Sequence, residues 1–126
     1  MSMEQALADL GHRIGIAALA PGPNDSLQLR FASGAALGVA RQGEQVVVHL
    51  SEPVAAHEAT VLLLRAMKRA ALPEAGAAAI QPGLFSADGQ DWLVLALRLA
   101  EQGLGARELE QAMQGLQTLL QRLRSD

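Results

Sequence analysis

The stretch WLVLALRL, Trp92 to Leu99, sets the strictest condition on the fold. Leu93, Leu95, Leu97 and Leu99 alternate, as the buried face of a strand does. Trp92, Val94 and Ala96 on the opposite face are apolar too, and only Arg98 is polar there. A strand that is oily on both sides needs cover on both sides. The chain has 126 residues, the size of one domain, so a single domain over 1–126 is expected to supply that cover. Its aromatic residues are Phe31, Phe85 and Trp92, so the core has to be aliphatic.

The rest of the chain punctuates itself clearly. Ser2 and Gln5 have capping-box spacing, and Met3, Ala6, Leu7, Leu10 and Ile14 recur at helical intervals before Gly15. A first helix over about residues 3–14 follows, with Pro21-Gly22-Pro23 as a rigid turn after it. Leu27, Leu29 and Phe31 then alternate with polar residues. Leu37 and Val39 form a weaker strand, and Val46, Val48 and Leu50 a third. Ser33-Gly34 and Gln42-Gly43-Glu44 separate them as short turns, which implies an antiparallel meander ended by Pro53.

Residues 55–71 read as a second helix, stopped by Pro73 and followed by a loop with Gly76. Leu62, Leu63, Leu64, Ala66, Met67 and Ala70 cover more than half of its circumference, an arc broad enough for burial on two sides. Ala77 to Phe85 reads as a strand broken by Pro82-Gly83, hence an edge or a bulge. Ser86-Ala87-Asp88-Gly89 turns the chain into the strand at Trp92. A last helix over about 106–123 carries an apolar stripe from Leu109 to Leu123. The fold class is therefore α+β: an antiparallel sheet of about five strands with three helices, in the order αβββαββα. The terminal helices are expected on one face of the sheet and the middle helix on the other.

Catalytic and cofactor patterns are missing. His57-Glu58-Ala59-Thr60 begins like the zinc-protease motif HExxH, but Val61 stands where the second ligand belongs. Gly103-Leu104-Gly105 lies where a dinucleotide loop would, but Glu108 replaces the third glycine and would repel a phosphate. Asp88 and Asp91 flank a glycine and read as hairpin residues. There is no cysteine, so no thiolate nucleophile, disulfide or thiolate metal site. No catalytic residue, metal or cofactor is expected. The net charge of -3, with Lys68 the only lysine, argues against nucleic acid as a partner. The N-terminus carries Glu4 and Asp9 and does not read as a signal peptide, and no apolar run is long enough to span a membrane. A cytosolic protein acting on other proteins fits these features.

Two apolar surfaces remain to be covered. Trp92 and Val94 would each forfeit roughly 1.5–3 kcal/mol if left in water. A second subunit meeting the middle helix and the strand is the economical solution; the alternative is a monomer whose middle helix covers the strand completely. The first helix with Leu27, Leu29 and Phe31 offers a second site, where an outer strand can pair with an extended peptide. The competing reading there is ordinary core packing.

The order of elements and the LADLGHRIGIAAL opening resemble the class I chaperones of bacterial type III secretion. LLLRAMKRAALPEAGAAAIQPGLFSADGQDWLVLALRL and ARELEQAMQGLQTLLQRL look most like the SycN-type subgroup. The resemblance implies a bacterial cytoplasmic dimer, with the periphery of the secretion apparatus as the second location left open, that keeps the N-terminal region of a secreted protein extended without ATP. It implies a YopN-type gatekeeper as client, and a YscB-type small chaperone or a second copy as partner. By resemblance the client would meet Leu7, Leu10, Ile14, Leu27, Leu29 and Phe31. The subunit interface would hold Leu62, Leu63, Ala66, Met67 and Ala70 with Trp92, Val94 and Ala96. The other classes left open are a structural dimerisation subunit and a small ligand-binding or enzymatic domain.

Overall fold

The computed structural model describes residues 2–16, 20, 22, 25–70 and 79–125. The elements are α1 (Met3–Ile14), β1 (Ser26–Arg30), β2 (Ala36–Gln42), β3 (Gln45–Val54), α2 (Ala56–Ala70), β4 (Gln81–Ala87), β5 (Gln90–Ala100) and α3 (Ala106–Ser125). This is the expected αβββαββα order. Pro21, Pro23, Pro73, Gly76 and the proposed strand start at Ala77 lie outside the described residues.

Local chemistry explains the boundaries. The Ser2 hydroxyl accepts the Gln5 N–H at 3.2 Å, capping α1, and Gly15 closes the helix in the left-handed conformation. The β4–β5 hairpin turns through Asp88 and Gly89, with φ of 53° and 76°. Two positive φ values define the type I′ turn that matches strand twist, and Asp-Gly is the pair that tolerates it.

The five strands form one antiparallel sheet in the order β1-β2-β3-β5-β4. β5 is thus interior, and β1 and β4 are the edges. Pro82 sits in edge strand β4, where a missing N–H does least harm. Pro53 does not end the third strand as expected: β3 continues to Val54, opposite Asp91. β2 pairs with β3 only as far as Ser51, so Pro53 has a strand on one side alone and breaks no ladder bond on the other.

Rows of side chains run across the sheet. Leu37, Leu50 and Leu95 are in register, as are Val39, Val48 and Leu97, and all are buried. They join Met3, Leu7 and Leu10 of α1 and Leu109, Leu116 and Leu123 of α3 in one core. Ala59, Leu62 and Ala66 of α2 belong to that same core. The expectation that the middle helix lies on the opposite face is therefore wrong. All three helices cover one face, with α2 over β4 and β5 and alongside α3. A helical wheel identifies which side of α2 is apolar; it carries no information about which side of the sheet that helix crosses.

Candidate interaction surfaces

The face opposite the helices answers the question posed by Trp92, Val94 and Ala96. No described helix packs on it, and all three side chains are half-buried. Most of the side chains in the Val94 and Ala96 rows are small, so little apolar bulk stands on this part of the face. Ala36, Ser51, Val94 and Gly83 form one row, and Gly38, His49, Ala96 and Gln81 the next. The large residues are gathered at one end. Trp92 lies between Pro53 and Phe85, and its ring stacks on Phe85 with centroids 5.9 Å apart and planes 4° apart.

His49 fills the centre of this face. A Cβ on Gly38 would overlap its ring, so glycine is required there by close approach. Its Nδ1 is buried without a hydrogen-bond partner among the described residues, and burial lowers its pKa below the ordinary histidine value. The surroundings thus disfavour the charged form of the ring.

The large exposed apolar side chains fall at the two ends of the sheet. At the β4 end, Val61, Leu64 and Met67 form a stripe along the outer side of α2, with exposures of 48%, 53% and 52%. Leu84, on the helix-covered side, and Phe85, on the open side, continue it on β4. The apolar surface thus wraps around the edge strand. At the other end are Ile14 and Ile16, in and just after α1, together with the half-buried Leu27, Leu29 and Phe31 at edge strand β1.

These positions divide the residues singled out from the sequence. Of the subunit-interface set, Leu62 and Ala66 are core residues, Leu63 and Ala70 are half-buried, and Met67 is exposed. Trp92, Val94 and Ala96 lie on the other side of the sheet from α2, so the two halves of that set meet only around the β4 edge. Of the client set, Leu7 and Leu10 are 0% and 1% exposed, inside the core and out of reach of another chain. Ile14 is exposed, and Leu27, Leu29 and Phe31 are accessible in part. Val61, Leu64, Leu84 and Phe85 were in neither set. The three-residue spacing of Val61, Leu64 and Met67, beside a strand marked as an edge by Pro82, was the available signal.

His57, the start of the failed zinc motif, is largely exposed at the beginning of α2 beside Glu58. Among the described residues, no three His, Asp or Glu side chains are grouped to hold a metal, and no helix is long and apolar enough to cross a membrane.

The comparisons with known proteins bear on the fold and the family. No curated protein matches the chain by sequence. Among solved structures, the fold is similar to the type III secretion chaperone SycH of Yersinia pestis, solved with a stable fragment of YscM2: TM-score 0.68, 10% identity, 97% of each chain covered. It is similar to the ExsC–ExsE complex, with TM-score 0.67 and 15% identity over 94% of this chain and 90% of that one. It is also similar to the HopA1–SchA chaperone–effector complex, with TM-score 0.63 and 19% identity over 95% and 88%. At such identities these likenesses establish the fold alone. Residues 2–124, nearly the whole chain, match the family model of the type III secretory system chaperone SycN, and the chain belongs to that family.

Proposed function

We propose that this chaperone works by binding rather than catalysis: as one half of a dimer it holds the N-terminal segment of a secreted protein extended in the bacterial cytoplasm, without ATP. The observation that carries the reading is the separation of two exposed apolar surfaces, one at each edge of a single sheet. Two partners can be held at once without competing for the same side chains. The α2–β4 surface suits a folded partner, because its stripe is helical and continuous with the Phe85–Trp92 stack. That partner is a second copy or a YscB-type small chaperone. The α1–β1 surface suits an extended client. β1 is an edge strand, bridged at Ser26 by Gly22 and carrying no other strand partner on that side among the described residues, which suits backbone pairing, and Ile14, Leu27, Leu29 and Phe31 offer shallow apolar contacts. A disordered segment gives up chain entropy on docking and recovers it through such contacts. The complexes formed by the structurally similar SycH and SchA support this reading, and a YopN-type gatekeeper is the proposed client.

The test is co-expression with the neighbouring secretion genes, followed by mass determination of the purified complex. A complex of two small chaperones with one secreted protein is expected. In the Phe31→Asp variant the chaperone pair should persist while the client is lost. A chain that purifies alone, with no secreted protein attached, would overturn the reading.

A further inference from the structure

Segments far apart in sequence meet at one guanidinium. Arg41, near the end of β2, donates from Nε and Nη2 to Glu101 Oε2 at 3.0 and 2.6 Å. Nη2 also donates to both carboxylate oxygens of Glu4 at 3.0 Å, and Nη1 donates to Asp25 Oδ2 at 3.3 Å. The same Glu101 oxygen accepts the backbone N–H of Met3 at 3.2 Å. Glu101 follows β5, Glu4 and Met3 open α1, and Asp25 directly precedes β1. From this geometry we propose that Arg41 is the positioning residue of the α1–β1 surface. It fixes the spacing between the two walls that an extended client would enter. The inference rests on the client reading given under Proposed function.

Three features support it. The centre of the clamp is partly buried: Arg41 and Glu101 side chains are 23% and 25% exposed, so solvent screens that pair less than its outer arms to Glu4 and Asp25, which are 50% and 56% exposed. Through one guanidinium it holds α1 by Glu4 and the start of β1 by Asp25, while Glu101, itself bound to Arg41, takes the Met3 N–H. Another ion pair on α1, Arg13 to Glu110 of α3, is looser at 3.7 Å and does not involve β1. Finally, the geometry is specific to arginine. Three carboxylates are served from three nitrogens of one planar fork, which a lysine ammonium on a flexible stem does not reproduce. Helix α1 rises about 18 Å from this point and β1 extends about 17 Å, so a small change of angle at the clamp is magnified at Ile14 and Phe31.

The test compares wild type, Arg41→Lys and Arg41→Ala by native-state hydrogen exchange, each normalised to the exchange of the β3 and β5 amides. It then measures binding of a peptide spanning the N-terminal segment of the secreted protein recovered by co-expression. In Arg41→Ala the α1 and β1 amides should exchange about tenfold faster relative to β3 and β5, and peptide affinity should fall about tenfold. Arg41→Lys, which keeps the charge, should recover less than half of either loss on a logarithmic scale. Raising salt from about 0.05 to 0.5 M should move wild type toward the alanine variant and leave that variant unchanged. Unchanged exchange, exchange that rises equally in every strand, full rescue by lysine, or loosened walls with unchanged peptide affinity would each overturn the role of Arg41. If wild type binds no peptide, the client reading fails, and the exchange pattern alone decides whether Arg41 sets the position of the two walls.

Discussion

On one side of the central strands Leu37, Leu50 and Leu95 stand in one row and Val39, Val48 and Leu97 in the next; on the other side the same strands carry Gly38, His49 and Ala96 beside Ala36, Ser51 and Val94. The first side is covered by three helices and packed with branched aliphatic residues. The second has no described helix on it, and its bulk is trimmed until little apolar area protrudes except at Trp92 and Phe85. A strand that is apolar on both faces therefore need not be sandwiched. Side-chain size can do part of what a covering layer does, because the free energy at stake scales with exposed area. What size does not remove is gathered at the sheet edges, where a partner can reach it.

The sharpest contrast between the faces is a pair of truncations on β5. Leu95→Ala, at a fully buried site, should cost about 2–5 kcal/mol in urea unfolding. Val94→Ala, next to it and half-buried, should cost about 1 kcal/mol or less in a dilute monomer. Equal losses would mean that the open face is packed as tightly as the covered one. A Val94→Ala cost that grows with protein concentration would mean that a second chain covers this face as well as the β4 edge.

The edge itself is the next comparison. Glutamates at Leu64 and Met67 would place two charges in the exposed stripe of α2 and touch no core residue. Chaperone pairing should weaken by about a hundredfold, near 2.7 kcal/mol, while the urea midpoint of the dissociated chain stays within experimental error. Sedimentation across a concentration series checks both. Unaltered association would remove α2 from the interface.

Much of this organisation was legible in advance, and what was not has a common cause. Helix α1, the last helix and the hairpin turns announce themselves through caps, periodicity and Asp-Gly chemistry, all of which act within a few residues. The second strand looks weak because Ala36, Gly38 and Ala40 contribute no apolar alternation; Gly38 is small because the His49 ring lies across it. Leu7 and Leu10 looked like groove residues, and Leu62 and Ala66 like interface residues, because an apolar side chain turned inward and one offered to a partner are the same letter. Which side of the sheet α2 crosses depends on how the chain connects β3 to β4, and no local pattern records it.

The glycine notch on the open face provides a smaller effect with a sign that can be predicted. Gly38→Ala would drive a methyl group into the His49 ring and should cost about 1–3 kcal/mol. In a His49→Ala background the obstruction is gone, and alanine in a strand interior becomes neutral or stabilising by about 0.5–1 kcal/mol. The double-mutant cycle in urea should therefore show strong coupling, and additive costs would place the ring elsewhere.

The weakest effect comes from the same histidine and tests whether the open face is dry. The folded-state pKa of His49 lies below its unfolded value of about 6.5, because burial penalises the imidazolium. In the interval between those two values the unfolded chain binds a proton that the folded chain does not, so stability rises with pH there. Read downward, the contribution is intact above about pH 6.5, declines as the pH falls toward the folded-state value and is flat below it. Carboxylates also titrate on the acid side, and Glu4, drawn downward by its own backbone amide and then by Arg41, is among them. A His49→Gln variant keeps those groups and removes only the imidazole. Urea midpoints of the two proteins, measured from pH 7.5 to 5.0 at one concentration, should converge as the pH falls if wild type is the more stable at pH 7.5, and diverge if it is the less stable. Parallel curves would mean that water reaches the ring, and that the trimmed face is wetter than its covered counterpart by more than side-chain size alone accounts for.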